Sequence, residues 1–171
     1  DVPITRFQPL ISYIKRKYKF KKKIIIAIYY PSNFEINLIK VFNNLKDKKI
    51  TTLLPIIKSN GLLNFVKWNH KDIMLVNKYG VPEPIKTKKT YLPDVILVPL
   101  LAYDKYKNRL GYGKGYYDRY LNNLVRLNKK IEAIGIAFSF QRYKKLPTNK
   151  FDFSLNNIFT DKGFLRWKYL Y

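Results

Sequence analysis

A short glycine-rich segment, Arg109–Leu121, carries the residue types best suited to bind phosphate. It reads RLGYGKGYYDRYL, and three of the seven glycines in the 171-residue chain alternate there with Tyr112 and Lys114. Glycine permits positive φ and lets a ligand approach the backbone N–H groups closely. A helix beginning at Tyr116 would direct its free N–H groups and positive dipole end at the same place. The segment therefore predicts an anion-binding loop, with Lys114 as a mobile cation.

The loop differs from the two best-known glycine-rich phosphate motifs. It lacks the four-residue spacer and Lys-Ser/Thr ending of a Walker A loop, and its spacing is not that of the GxGxxG dinucleotide fingerprint. Alternating glycines alone would also suit a tight connection without a ligand. The flanking cations Arg109 and Arg119 favour phosphate binding, because they add positive charge beside the helix N-terminus.

Several neighbouring residues allow two roles each. Asp118 suits a hydrated Mg²⁺, but an acid in a first helical turn also stabilises the dipole by ~0.3–1 kcal/mol without a metal. Glu35 is placed either to bind a ligand or to complete a capping box that begins at Ser32. Tyr116 and Tyr117 would pack or would stack on a flat heterocycle. The residue types alone leave each pair of roles open.

The composition excludes several kinds of active site. The chain of 20.5 kDa has no cysteine, which removes disulfides, thiolate catalysis and cysteine metal sites. Its one histidine, His70, excludes a multi-histidine zinc site, and no Gly-x-Ser-x-Gly elbow accompanies it. His70 lies in a polar stretch and is expected to be a solvated loop residue. No apolar run approaches the ~20 residues that span a bilayer, and we expect a cytoplasmic protein.

The net charge of +23 first suggests a nucleic-acid binder. The 34 Lys+Arg residues are nevertheless spread along the whole chain, which equally suits lysines on solvated faces. Lys15–Lys23, with the sequence KRKYKFKKK, is the densest basic stretch and the best candidate for an anionic contact. No nucleic-acid motif is present, so a nucleic-acid partner is not expected.

Strand-like runs alternate with helix-like ones, which predicts an α/β fold. We expect strands at 24–30, 50–57, 62–66, 95–98, 131–138 and 158–160, a turn at 79–84, and helices at 9–18, from Ser32 to about Leu45, and at 116–127. The chain is expected to form one domain over residues 1–171, with a mostly parallel sheet flanked by helices. Its ligand site is expected at the carboxyl ends of the strands, where Glu35, Asp104, the glycine loop and Gln141 follow predicted strands.

An ordered series of motifs is similar to those of the 5-formyltetrahydrofolate cyclo-ligase family, also called methenyltetrahydrofolate synthetase. The family's signature RLGxGxGYYDR is matched fully. The matching segments are Tyr30–Glu35, Asn77–Pro84 (NKYGVPEP), Asp94–Asp104 (DVILVPLLAYD), Arg109–Arg119, Leu146–Asp152 (LPTNKFD) and Thr160–Gly163 (TDKG). The resemblance therefore runs from about Leu10 to Gly163.

The resemblance implies an ATP- and Mg²⁺-dependent ring closure. The formyl oxygen of 5-formyltetrahydrofolate attacks the γ-phosphate of ATP, and the second folate nitrogen then closes on the phosphorylated formyl carbon. The products are 5,10-methenyltetrahydrofolate, ADP and phosphate. Such chemistry depends on positioning and charge stabilisation, which suits a chain without cysteine.

The resemblance also implies roles for particular residues. Arg109 and Lys114 would oppose the transferring charge as catalytic residues, and Asp118 and Asp152 would hold Mg²⁺. ATP would contact Arg109, Leu110, Gly111, Tyr112, Gly113, Lys114, Gly115, Tyr116 and Tyr117. The folate would contact Tyr30, Pro31, Glu35, Tyr112, Gly113, Lys114, Gly115 and Tyr116, with Glu35 as acceptor for the pterin ring.

The chain departs from the family pattern at a few positions. Leu100 replaces a glycine and Tyr103 a phenylalanine, while Asn149 and Phe151 replace a glutamate and a histidine before Asp152. The family's N-terminal helix carries Lys/Arg residues that touch ATP phosphates. Because the sequence begins near the expected end of that helix, we expect those contacts to precede it or to be missing.

These departures leave other functions open. One is a family member that binds folate or nucleotide without turnover, and a more distant one is a basic RNA-binding protein. For the enzyme, the expected partners are ATP and 5-formyltetrahydrofolate, which can carry a polyglutamate tail, and a monomer is expected. The positive charge would then help to attract both anionic substrates.

Overall fold

In the computed structural model, which describes residues 2–32 and 34–166, one seven-stranded sheet organises the chain. The strands of this sheet, in spatial order, are β11 (Gly163–Phe164), β10 (Asn157–Thr160), β9 (Glu132–Ala137), β6 (Val95–Pro99), β1 (Ile24–Ala27), β2 (Ile50–Ile57) and β3 (Leu63–Lys67). The five central strands are parallel, and β3 and β11 are antiparallel edges. The α/β class with a mostly parallel sheet is thus confirmed, while the expected domain limits at 1 and 171 lie outside the described residues.

Helices cover both faces of the sheet. Helices α1 (Gln8–Lys17) and α2 (Leu38–Asn44) pack on one face, and α3 (Tyr116–Arg126) packs on the other. Strand β6 is buried throughout, with Val95 and Leu97 facing the first helix layer and Ile96 and Val98 facing α3. Such continuous apolar strands are expected in a parallel sheet that is covered twice. Every helix in the described part of the chain is too short or too polar to cross a membrane.

The strand order places a switch point between β1 and β6. From β1 the chain moves to β2 on one side, and it later returns as β6 on the other side of β1. The connections that leave β1 and β6 at their carboxyl ends therefore diverge and open a crevice between them, which is where α/β sheets bind ligands. The expected ligand residues follow these two strands.

Two predicted helix and strand limits near β1 are wrong. The strand ends at Ala27, although Ile28 N–H still donates to Leu53 O, and the chain then leaves the sheet. Helix α2 begins at Leu38 instead of after Ser32, because Asn37 caps it by accepting a hydrogen bond from Lys40 N–H at 3.3 Å. Residues 28–32 and 34–37, between β1 and α2, are thereby free to form one wall of the crevice.

Prolines lie within two of the strands. The predicted strand at 50–57 is confirmed as β2, which continues through Pro55 because β1 pairs with β2 only up to Leu53 and the missing N–H faces no neighbour there. The predicted turn at 79–84 is a turn only at its start: Pro82–Pro84 form strand β5, paired with β4 (Met74–Val76). Asn77 N–H donates to Val81 O, so both prolines of β5 occupy the non-hydrogen-bonded positions of the hairpin.

Three of the seven basic residues in the stretch Lys15–Lys23 pair with carboxylates at the amino ends of the strands: Lys15 with Asp47 at 2.6 Å, Lys17 with Glu132 at 2.5 Å, and Lys21 with Asp94. Sequence spacing did not reveal these pairs, because the carboxylates lie 32, 115 and 73 residues away (47 − 15, 132 − 17 and 94 − 21). That the stretch is the best candidate for an anionic contact stays a prediction, which now depends on its other cations.

Candidate functional site

The crevice between β1 and β6 is bounded by two loops that contact each other. The hydroxyls of Ser32, after β1, and Tyr112, in the glycine loop, lie 2.9 Å apart. Tyr112 also interacts with the Glu35 carboxylate. The structure thus brings the predicted folate side and the predicted phosphate side together.

The three glycines of the loop are required for different structural reasons. Gly113 and Gly115 have φ of 84° and 67°, in the left-handed region that favours glycine. Gly115 caps α3 without a side-chain hydrogen bond, so the helix starts with its positive end towards the loop. Gly111 has no positive φ; a Cβ there would lie 2.6 Å from Nη1 of Arg109. Glycine is needed there because the guanidinium of Arg109 occupies the space that a Cβ would fill.

Arg109 lies beneath this loop with its side chain only 6% exposed. It belongs to the short hairpin of β7 (Ala102–Tyr103) and β8 (Arg109–Leu110). Its Nη2 donates to Asp118 Oδ2 at 3.1 Å and its Nη1 to Pro99 O at 3.4 Å, while Nε has no hydrogen-bond partner among the described residues. The cation is therefore held in place, and one of its donors, Nε, is buried without a hydrogen bond.

The side chain of Asp118 is engaged at both oxygens. Oδ2 accepts from Arg109, and Oδ1 accepts from Phe153 N–H at 3.1 Å. Asp152 precedes Phe153 and is exposed, with Oδ2 accepting from Asn149 N–H at 2.8 Å. The two predicted magnesium residues thus lie in adjoining segments, and no group of three or more His, Cys, Asp or Glu in the described chain could hold a metal.

These carboxylates fit Mg²⁺ only in a site that phosphate completes. Mg²⁺ commonly takes one or two carboxylates and fills its octahedron with water and substrate phosphates. Each oxygen of Asp118 accepts one hydrogen bond and keeps a second lone pair. Asp118 can therefore orient Arg109 and still ligate a cation, so its two roles are compatible.

Glu35 forms the other side of the crevice and is half-buried. Its Oε2 accepts from Ser32 N–H at 2.8 Å, and Glu35 N–H donates back to Ser32 O at 3.1 Å. The capping-box contact therefore exists, but it closes a turn that precedes α2. Burial raises the pKa of the Glu35 carboxyl above its usual value, although the hydrogen bonds from Ser32 and Tyr112 act in the opposite direction. Tyr30 and Pro31 lie in the same loop, half-buried.

Two cations flank the glycine loop on its exposed side. Lys114 is exposed, with Nζ 5.5 Å from the ring centre of Tyr79. Arg119 donates to Lys114 O at 2.8 Å and lies over the ring of Tyr116 at 5.2 Å. Lys114 can therefore move towards an anion, whereas Arg119 shapes the loop.

Sequence reasoning missed the contribution of Tyr79. Its hydroxyl lies 2.8 Å from that of Tyr116, so the β4–β5 hairpin is joined to the start of α3. The signal was the motif NKYGVPEP, to which no binding role was assigned. Tyr117 packs inward, with the guanidinium of Arg109 5.7 Å from its ring centre, and burial raises its pKa well above the usual value. Tyr117 is thus a supporting residue in this arrangement.

Other residues singled out in the sequence lie away from the crevice surface. Gln141 follows β9 as expected, and Asp104 follows β7, a short strand after β6 that the sequence did not predict, but both residues are buried in the scaffold. His70 is exposed in a loop, as expected, beside a cavity of about 380 Å³ at the opposite end of the sheet. That cavity contains none of the predicted ligand residues, so the crevice at the switch point is the better candidate.

Comparison with known proteins identifies the family of the chain. The model of the 5-formyltetrahydrofolate cyclo-ligase family matches residues 8–161. The 5-formyltetrahydrofolate cyclo-ligase of Haemophilus influenzae is 32% identical over 139 residues, covering 78% of this chain and 73% of that protein. The enzyme of that name from Mycoplasma genitalium is 34% identical over 134 residues, covering 78% and 70%.

Solved structures show the same similarity. The NMR structure of 5,10-methenyltetrahydrofolate synthetase from Aquifex aeolicus superposes with a TM-score of 0.72 at 30% identity, covering 95% of this chain and 81% of that one. The 5,10-methenyltetrahydrofolate synthetase of Mycoplasma pneumoniae gives 0.63 at 29% identity, covering 90% and 84%. The resemblance drawn from the sequence motifs is thereby confirmed.

Proposed function

Since this chain belongs to the 5-formyltetrahydrofolate cyclo-ligase family, we propose that it converts 5-formyltetrahydrofolate to 5,10-methenyltetrahydrofolate with ATP and Mg²⁺. Relatives and structural neighbours carry the names of this ligase and synthetase. The observation that supports the proposal best is the contact between the Glu35 loop and the glycine loop, above the fixed cation Arg109. A two-substrate reaction needs such neighbouring sites.

The reaction proceeds in two steps. The formyl oxygen attacks the γ-phosphorus of ATP, and the bond to the ADP oxygen breaks. The second folate nitrogen then adds to the phosphorylated formyl carbon to form the new C–N bond. The C–O bond to phosphate breaks, and the proton of that nitrogen leaves with the phosphate. ADP, phosphate and the methenyl product leave.

The chain contributes mainly charge and position at the phosphate end. The helix α3 N-terminus and the backbone of residues 110–117 surround the phosphates, and Arg109 from below and Lys114 from above oppose the charge that develops on transfer. Asp118 and Asp152 would hold Mg²⁺, which would supply further charge neutralisation when bound. The loop contacts of Tyr112 with Ser32 and of Tyr116 with Tyr79 border the transferring group.

At the folate end, Glu35 accepts hydrogen bonds from the pterin ring, with Tyr30 and Pro31 beside it. The Glu35 carboxylate is fixed at Oε2 by Ser32 N–H and also interacts with Tyr112. Because Tyr112 contacts both Ser32 and Glu35, it is placed between the folate and the phosphates. The formyl group is thereby directed towards the γ-phosphate.

The direct test is the reaction itself. Purified protein with ATP, Mg²⁺ and 5-formyltetrahydrofolate should generate the methenyl chromophore and release ADP in equal amounts, and chelation of Mg²⁺ should stop both. ADP release without the chromophore would contradict the proposal. Binding of ATP and 5-formyltetrahydrofolate without either product would identify a non-catalytic family member instead. RNA binding that persists at physiological salt, without binding of either ligand, would favour the RNA-binding hypothesis.

Glu35→Gln should weaken folate binding and leave ATP binding unchanged. The amide keeps one acceptor but loses the charge, so the KM for 5-formyltetrahydrofolate should rise by about tenfold or more, in line with a lost charged hydrogen bond of ~1.5–3 kcal/mol. In wild type, folate affinity should also fall as pH drops through the raised pKa of Glu35. An equal change in the KM for ATP would contradict this assignment.

The same substitution should alter stability in a pH-dependent way. A raised pKa means that the folded state binds more protons than the unfolded state between the ordinary and the raised value, so stability falls as pH rises through that range. Glu35→Gln removes this pH-dependent loss of stability, because glutamine does not ionise. The variant should therefore resist urea better than wild type above the raised pKa and match it at lower pH, in the same buffer series.

A further inference from the structure

Asp104, at the end of β7, is a fully buried carboxylate outside the crevice, with 0% exposure. Oδ1 accepts from Tyr106 N–H at 2.9 Å and Asn108 N–H at 3.1 Å, and Oδ2 accepts from Asn108 Nδ2 at 3.1 Å and Leu146 N–H at 3.0 Å. Burial would raise the pKa of Asp104, but these hydrogen bonds outweigh it and the pKa lies below its usual value. Asp104 is therefore a buried anion held by four hydrogen bonds.

Three of these hydrogen bonds shape the turn that leads to Arg109. Asp104 N–H also donates to Asn108 O at 3.2 Å, so the turn is closed at both ends. Lys107 within it has a φ of 65°, which is uncommon for a residue with a side chain. Arg109 follows directly, so the geometry of this turn sets where its guanidinium lies.

The fourth hydrogen bond connects Asp104 to a second segment of the site. From Leu146 the chain continues to Leu155, whose N–H donates to Lys107 O at 3.0 Å. Between these residues Phe153 N–H donates to Asp118, which pairs with Arg109. The contacts form a closed ring that begins and ends at the turn held by Asp104.

We propose that Asp104 is a positioning residue, which fixes Arg109 and Asp118 relative to the glycine loop through this ring of hydrogen bonds. This inference rests on the proposed function, in which those two residues act at the phosphates. The Glu35 loop is not part of the ring. Loss of Asp104 should therefore affect the phosphate end of the site selectively.

The test compares Asp104→Asn with Glu132→Gln. Each carboxylate oxygen of Asp104 accepts two hydrogen bonds. Asparagine replaces one of these oxygens by an NH₂ group, which cannot accept them, so two of the four hydrogen bonds are lost and the ring loosens. We expect kcat to fall and the KM for ATP to rise, with a combined loss of about 10²-fold, as for a misplacement near 1 Å. The KM for 5-formyltetrahydrofolate should stay within about twofold.

Glu132→Gln is the matched control. Glu132 is another buried carboxylate, 4% exposed, but it pairs with Lys17 and Tyr13 at the opposite end of the sheet. Its loss should lower stability without changing either KM. Asn108→Ala, which removes a single donor to Asp104, should give a smaller effect in the same direction if Asp104→Asn does not fold.

Hydrogen exchange separates this inference from the proposed function. The amides of Leu146, Phe153 and Leu155 should exchange faster in Asp104→Asn than in wild type, and should be unchanged in Glu132→Gln, whether or not the wild type makes the methenyl product. A folded Asp104→Asn variant with unchanged exchange at Phe153 would overturn the inference. Equal changes in the KM for both substrates would also overturn it, because they would indicate a general structural role.

Discussion

Replacing Arg109 by methionine should lower kcat/KM for methenyl formation by about three orders of magnitude, or ~4 kcal/mol, as expected for a cation that stabilises a transferring phosphoryl group. Methionine keeps much of the buried stem and removes the charge. The guanidinium is 6% exposed, so solvent screens its charge little. Steady-state kinetics with each substrate varied in turn would measure the loss, most of which should appear in kcat.

The matched control is Arg119→Met. Arg119 is exposed and contacts only the outer side of the loop, through Lys114 O and the Tyr116 ring. Its removal should lower kcat/KM for methenyl formation far less than the removal of Arg109. Arg109→Lys should remain severely impaired, because one ammonium group cannot reproduce the planar contacts with Pro99 O and Asp118. Similar losses for Arg109→Met and Arg119→Met would contradict the assignment of Arg109.

Stability must be followed in the same variants, because Arg109→Met leaves Asp118 without its ion-pair partner. Removing one partner of a buried pair can cost ~3–5 kcal/mol. Asp118 is 19% exposed and keeps the hydrogen bond from Phe153, so the cost here should be smaller. Urea unfolding would show whether the folded fraction under assay conditions is unchanged, and only then does the kinetic loss report on catalysis.

The regular parts of the fold were predictable because they depend on local pattern. β6 is an uninterrupted apolar strand, and α3 begins directly after Gly115, as the sequence indicates. The short hairpins β4–β5 and β7–β8 were not predictable, because they contain few apolar residues and each strand depends on pairing with the other. β5 pairs two prolines in non-hydrogen-bonded positions, an arrangement that β4 makes acceptable. Propensity alone does not contain that information.

The candidate site was predictable at the level of segments but not of contacts. The glycine loop and Glu35 were identified by residue type and motif, and the strand order then explains why they face each other across β1 and β6. The pairing of Arg109 with Asp118 and the engagement of Lys17 by Glu132 depend on tertiary geometry. A charge count treats such residues as free, although the structure has already paired them.

Gly111→Ala should reduce activity by about 10²-fold while changing stability by less than ~1 kcal/mol. Its backbone has no positive φ, so alanine is permitted there. The new Cβ would lie 2.6 Å from Nη1 of Arg109, so the guanidinium must shift away from it by bending its contacts with Asp118 and Pro99 O. The protein should therefore stay folded with its cation displaced. Gly113→Ala should instead cost ~1–3 kcal/mol in stability, because its φ is 84° and strains an alanine backbone. A clash would not contribute, since nothing lies within 4 Å of the new Cβ.

A double-mutant cycle tests the reason for Gly111 directly. If the glycine is needed only to admit the guanidinium of Arg109, Gly111→Ala should cost almost nothing more in an Arg109→Met background, since methionine can turn away from the new methyl group. Kinetics and urea unfolding on the four proteins of the cycle would give both coupling energies. A full 10²-fold loss in each background would instead show that Gly111 serves the close approach of ATP itself. The three glycines would then act together as the phosphate loop that their spacing first suggested.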